Sequence, residues 1–258
     1  MSISLKNNSV VCYFNKINNQ PALSSQSEEL IDFWSENWRS RGWNPIILNR
    51  EYAKTHPKYK VLQDSFETDG LLFNPAHTKE YQMECYSRWF AYSQFSNENG
   101  ATLWSDYDVY NKSLTFDDFV KFPPKTNMIS YSGSSGVMDK FHSNNLIGIY
   151  EKFNNSDDYS NIKGLSENQQ LHIDKHTTFV SDMILTQCAF LVDANQLIDQ
   201  RCTECWTDAN KDFYEFDLYH ISGGISDPSN KSELAFDFPY NKNLSRLGIM
   251  KYVESLLK

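Results

Sequence analysis

Between residues 9 and 48 the chain reads as strand, helix, strand, and that order constrains its fold more than any other feature. Residues 9–14 (SVVCYF) are β-branched and aromatic, and Asn15-Lys16 then leads into a loop, the pattern of a buried strand. Ser25-x-x-Glu28 has the spacing of a capping box. Leu30, Ile31, Trp34 and Trp38 then recur at helical intervals until Gly42 can close the end. Residues 43–48 (WNPIIL) supply the second strand. A strand that returns parallel to its predecessor through a helix belongs to a sheet covered by helices. The expectation is one Rossmann-related α/β domain with a mostly parallel central sheet flanked by helices, and 258 residues suffice for its core.

Further along, Pro57, Gly70 and Pro75 punctuate residues 49–79, which read as short helices and loops. In residues 80–95, Tyr81, Cys85, Trp89 and Tyr92 share one helical face with Arg88 at its flank, and Asn99-Gly100 ends that helix. Residues 101–104 form a strand that runs into Ser105-Asp106-Tyr107-Asp108. After Pro123-Pro124, residues 127–131 read as a strand entering a Ser/Gly loop at 132–136. That loop lacks the following Lys-Ser/Thr of a phosphate-binding P-loop. Residues 164–172, 180–190 and 193–199 read as helical and 212–221 as a late strand. Leu244, Leu247, Met250, Val253 and Leu257 line one side of a C-terminal helix. No repeat or linker divides residues 1–258. Within them 9–111 would bind nucleotide, 112–242 would face an acceptor and 243–258 would dock as a helix.

A formal charge of −9 argues against a general nucleic-acid binder, which needs a basic face for phosphates. No apolar span of about 18 residues appears, so no transmembrane segment is expected. The five scattered cysteines fit a reducing cytoplasm better than a disulfide framework. Aromatic residues make up 15%, a composition that builds a folded core and also suits a carbohydrate or nucleotide ligand.

Asp106 and Asp108 stand i, i+2 at a strand end, the edge where open α/β sheets bind ligands; the alternative is a pair of solvated loop acids. Asp182 opens a helix as its N-cap or as a general base. His220 is a metal ligand or a hydrogen-bonded strand histidine. His172-x-x-x-His176 has Ile173 where a zinc protease helix has its glutamate, and Cys202-x-x-Cys205 lacks a second pair, so neither reads as a zinc site.

Tyr86-Ser87-Arg88-Trp89-Phe90, Asn99-Gly100 and Ser105-Asp106-Tyr107-Asp108-Val109 follow one another in a telling order, with His220-Ile221-Ser222-Gly223-Gly224 far behind. In this order the chain resembles the nucleotide-sugar-dependent glycosyltransferases of the GT-A fold, in particular the branch with Ser-x-x-Arg, Gly-Gly and Asp-x-Asp motifs. Asn99 stands where that branch has a glycine, the gap from Gly100 to Asp106 is longer than in that branch, and the Lys-Pro-Trp that often follows the late histidine is missing. The resemblance implies a hexosyltransferase-like enzyme that uses Mn²⁺ (or Mg²⁺) and a UDP- or GDP-sugar to glycosylate a hydroxyl acceptor such as a glycan. It implies Asp108 as principal metal ligand, Asp106 as ribose or metal contact and His220 as third ligand. Arg88 would position the donor's phosphate or sugar, and Tyr13 and Asn15 would contact the base. Asp182 would be the acceptor-side base if the transfer inverts configuration. Each residue also has a plain alternative: Arg88 as the partner of a neighbouring acid on its own helix, Tyr13 as core. A non-catalytic nucleotide-sugar or glycan binder on the same scaffold is the alternative for the whole chain. A nucleotidyltransferase would need a Gly-rich basic loop that the sequence lacks.

Overall fold

The computed structural model describes residues 5, 7–17, 21–67, 78–121, 135–154, 167, 181–190, 202–204, 216–221 and 246–257. The fold is mixed α/β, with a mostly parallel four-stranded central sheet flanked by helices. β1 (Ser9–Tyr13) leads through α1 (Pro21–Arg39) to β2 (Asn44–Leu48), and the two strands pair in parallel, Ser9 opposite Asn44 and Tyr13 opposite Leu48. This is the expected strand–helix–strand unit. Its helix begins at Pro21, four residues before the capping box at Ser25. Proline suits a first helical turn because it gives up an N–H that has no partner there anyway.

Two short helices follow, α2 (Arg50–Ala53) and α3 (Tyr59–Glu67). The long α4 (Lys79–Asn99) starts at the Thr78 cap and stops at Gly100, whose φ of 87° lies in the region that glycine alone adopts readily. β3 (Thr102–Ser105) then pairs in parallel with the other side of β1, Val11 opposite Trp104. After β4 (Val109–Asn111) and α5 (Phe116–Lys121), β5 (Ser135–Met138) closes the sheet antiparallel to β3, giving the order β2-β1-β3-β5.

β5 corrects the sequence expectation, which put a loop at 132–136. Its first half, Ser135-Gly136, is fully part of the ladder, and Gly136 lies opposite Trp104, whose bulk leaves little need for a second large side chain. The remaining described elements are α6 (Lys140–Asn154), α7 (Asp182–Phe190), β6 (Cys202–Glu204), β7 (Leu218–His220) and α8 (Arg246–Leu257). β4, β7 and β6 make a second, three-stranded sheet that the sequence pattern did not announce. The strand expected at 127–131, the helices at 164–172 (residue 167 apart) and 193–199, the His172/His176 pair and Cys205 lie outside the described residues.

Alternation along the strands divides the core. Val10, Cys12, Leu103 and Val137 face α1, where Trp34 and Trp38 meet Trp43, Phe116 and Phe119. Val11, Tyr13, Trp104 and Met138 face α4, α6 and α7. On that side Trp104 stacks on Tyr92 and meets Trp89 edge-on, with centroids 5.5 and 5.0 Å apart. No helix among the described residues is long and apolar enough to cross a membrane.

Candidate functional site

Because β1, β2 and β3 are parallel, their C-terminal ends share one edge of the sheet, and polar residues gather there. β3 ends at Ser105, so Asp106 is the first residue beyond the sheet. A tight turn, closed by Val109 N–H donating to the Asp106 carbonyl (3.2 Å), sets Asp108 just before β4. Antiparallel pairing of β4 with β7 puts Val109 opposite His220, and Ile221 N–H donates to the Asp108 carbonyl at 2.9 Å. His220 therefore reaches Asp108 because a small sheet ties residues more than a hundred positions apart. One ligand atom from each of Asp106, Asp108 and His220 lies within 4.8 Å of the other two.

The donor set is two hard carboxylate oxygens and one imidazole nitrogen, a combination that fits Mn²⁺ or Mg²⁺ better than a thiol-preferring metal. Burial pushes the Asp106 carboxyl up to about 6, with Arg88 pulling against that and Asp108 adding to it. Burial acts on Asp108 in the same direction, but His220 and Arg246 outweigh it and hold Asp108 below the usual carboxylate range. The surroundings thus push these two neighbouring carboxyl groups in opposite directions.

Arg88 sits in the middle of α4 and joins the two halves of the site. Its NH1 donates to both Asp106 oxygens (3.0 and 3.2 Å), while Nε and NH2 donate to Asp182 Oδ2 (3.1 and 2.7 Å). Trp89 Nε1 donates to the same Asp182 oxygen at 2.8 Å. The cap of α7 is Ser181, whose Oγ accepts from Ile184 N–H at 3.3 Å; Asp182 is the first helical residue and points inward. Of the two roles read from the sequence, N-cap and base, the cap belongs to its neighbour.

One turn earlier on α4, Glu84 anchors the ends of β1 and β2. It accepts from Tyr13 Oη at 2.5 Å, from Asn15 Nδ2 at 2.9 Å and from Arg50 NH2. Tyr13 is buried in the core, and burial together with Glu84 raises its hydroxyl well above the ordinary phenol range. Asn15 is half-buried and also takes a long contact from Arg50 N–H at 3.5 Å. Beside them Phe14 meets Tyr107 edge-on, 6.0 Å between centroids, so half-buried aromatic rings border the acidic pair.

The seven candidate site residues expected from the sequence occur along this edge: Tyr13 and Asn15 with Glu84, and Arg88, Asp106, Asp108, Asp182 and His220 in one connected cluster. No family model, curated protein or solved structure matches the chain. The fold and the site geometry therefore carry the functional argument by themselves.

Two residues of the edge were not visible from sequence. Glu84 reads as an ordinary helical acid until its three partners are seen. Arg246 opens α8, 26 positions beyond His220 and in no motif; its NH1 lies 3.2 Å from Asp108 Oδ2.

Proposed function

We propose that the chain is a metal-dependent glycosyltransferase that moves a sugar from a nucleoside diphosphate donor, such as a UDP- or GDP-sugar, to a hydroxyl acceptor such as a glycan. The observation that carries this reading is the gathering of Asp106, Asp108 and His220 donor atoms within 4.8 Å at the C-terminal edge of a mostly parallel sheet. Mn²⁺ or Mg²⁺ held there by Asp106, Asp108 and His220 would supply Lewis-acid neutralisation of the charge that builds on a leaving diphosphate. Asp108 and His220 would hold the ion, and Asp106 would contact the ion or the donor's ribose. Arg88 keeps Asp106 oriented and adds fixed positive charge beside the donor, while Asn15, with Tyr13 behind it, borders the base. Asp182 holds Arg88 rather than taking a proton from the acceptor, which suits a transfer that retains configuration and needs no such base. The thiols of Cys12 and Cys85 fit a cytoplasmic enzyme.

Donor hydrolysis and sugar transfer from a panel of UDP- and GDP-sugars with Mn²⁺ test the proposal. Asp108→Asn should abolish both while the circular dichroism spectrum stays native, and full activity in that variant or in excess chelator would rule the metal mechanism out. One observation favours a binding protein instead. All three guanidinium nitrogens of Arg88 are engaged by carboxylates, which ties up the cation best placed for a donor. Metal-dependent thermal stabilisation by nucleoside diphosphates without any turnover would support that second reading.

A further inference from the structure

Arg246 is explained neither by the metal donors nor by the core. It is delivered by α8, whose Ile249, Met250 and Val253 pack with Tyr110 of β4, Tyr219 of β7, Ile221 and Leu30 of α1. The small sheet that brings His220 to Asp108 thus also fixes where α8 begins. The two oxygens of Asp108 divide between neighbours: Oδ1 lies 3.4 Å from His220 Nε2, and Oδ2 lies 3.2 Å from Arg246 NH1. The Asp108 side chain is 8% exposed and that of Arg246 is 40% exposed, so the guanidinium reaches from the solvent side into the cluster. Arg88 differs, being bound by carboxylates at both ends and only 15% exposed.

Charge gives this arrangement a consequence. Asp106, Asp108 and Asp182 carry three negative charges against the two guanidiniums of Arg88 and Arg246, an excess of one negative charge with His220 neutral. A divalent cation on Asp106, Asp108 and His220 would turn that into an excess of one positive charge, with Arg246 on the same carboxylate as the cation. Like charges this close in a partly buried site repel strongly, and an anion that touches both relieves the repulsion.

We propose that Arg246 binds the diphosphate of the ligand and thereby couples metal and diphosphate binding, each tightening the other. The proposal rests on the metal-dependent reading above and names a residue that reading does not need. Arg246 opposes a bare cation at Asp108 and becomes favourable once a diphosphate spans cation and guanidinium. Because linkage is reciprocal, the two ligands shift each other's affinity by the same factor.

The test is calorimetric titration of the full chain with Mn²⁺ alone, and with inorganic pyrophosphate at saturating Mn²⁺ corrected against a protein-free titration. In the wild type, pyrophosphate should tighten Mn²⁺ binding; no coupling there overturns the proposal without any variant. Arg246→Gln should bind Mn²⁺ alone several-fold more tightly and pyrophosphate about ten-fold more weakly, a factor within the usual range of coupling between sites. Arg246→Lys, which keeps the charge, should retain most of the coupling, and its loss there would overturn the charge argument. If Mn²⁺ and pyrophosphate affinities fall together in Arg246→Gln, or both stay at the wild-type values, Arg246 is structural and the proposal fails. A wild type that binds no Mn²⁺ at all overturns the metal reading itself, whereas normal Mn²⁺ binding that is indifferent to Arg246 overturns only this inference.

Discussion

Replacing Asp182 with alanine removes the carboxylate that holds Arg88 from the α7 side. Three donors lose their acceptor: Arg88 Nε at 3.1 Å, Arg88 NH2 at 2.7 Å and Trp89 Nε1 at 2.8 Å. Removing one partner of a buried ion pair costs about 3–5 kcal/mol. The contacts of Arg88 NH1 with Asp106 persist, which argues for the lower end of that range. The indole N–H left without a partner adds about 1 kcal/mol. The sum is about 4 kcal/mol, or a melting temperature lowered by about 10 °C in a chain of this size. Asp182→Asn keeps an oxygen for one donor but gives up the charge, and should cost about half as much. Urea denaturation followed by circular dichroism measures both variants. An alanine variant within about 1 kcal/mol of wild type would refute the anchoring role. An asparagine variant of wild-type stability that has lost sugar transfer would restore Asp182 as the base.

Two further outcomes follow from buried polar networks away from the acidic pair. His56, 6% exposed, accepts Lys58 N–H at Nδ1 (3.2 Å), so Nε2 carries the proton toward Ser93 Oγ, which in turn meets Ser143 Oγ. Burial, helped by Lys58 and opposed by Glu151, lowers this imidazole from 6.5 to about 4. Unfolded chains therefore take up the proton first, and the stability present above pH 6.5 is lost as pH falls toward 4, by at most about 3 kcal/mol. Urea melts at several pH values should show that loss flattened in His56→Gln, and an unchanged difference between variant and wild type across this window would contradict the assignment. Glu84→Gln keeps the shape of the junction but removes the charge that Arg50 faces, and should cost about 2 kcal/mol in the same assay. A cost near zero would mean that Tyr13, Asn15 and Arg50 are held by something else.

The elements that were legible in the sequence share a physical character. α1 and α4 are long helices, and each is followed by a local stop, Gly42 or Gly100, that works without knowledge of the rest of the chain, while β1 and β2 are short runs rich in β-branched residues. Asp106 and Asp108 were legible because a strand end is a predictable place. What escaped was set by distant partners. β5 hides in a Ser/Gly run because its neighbour Trp104 fills the space. β4 and β6 are three residues long and form only by pairing with β7, which falls within the late strand expected at 212–221. The first turn of α1 precedes its expected cap, because a proline, Pro21, fits a first helical turn without losing a hydrogen bond. Glu84 and Arg246 carry no local signal at all; their meaning lies in what α4 and α8 are packed against.

The most direct test of the central claim is a Mn²⁺ titration followed by electron paramagnetic resonance, which counts bound ions and detects a coordinating imidazole nitrogen. The account predicts one tight site with nitrogen coupling, lost in Asp108→Asn and stripped of the nitrogen signal in His220→Ala while the ion still binds more weakly. No bound Mn²⁺ in the wild type, or a site unchanged in Asp108→Asn, would contradict it.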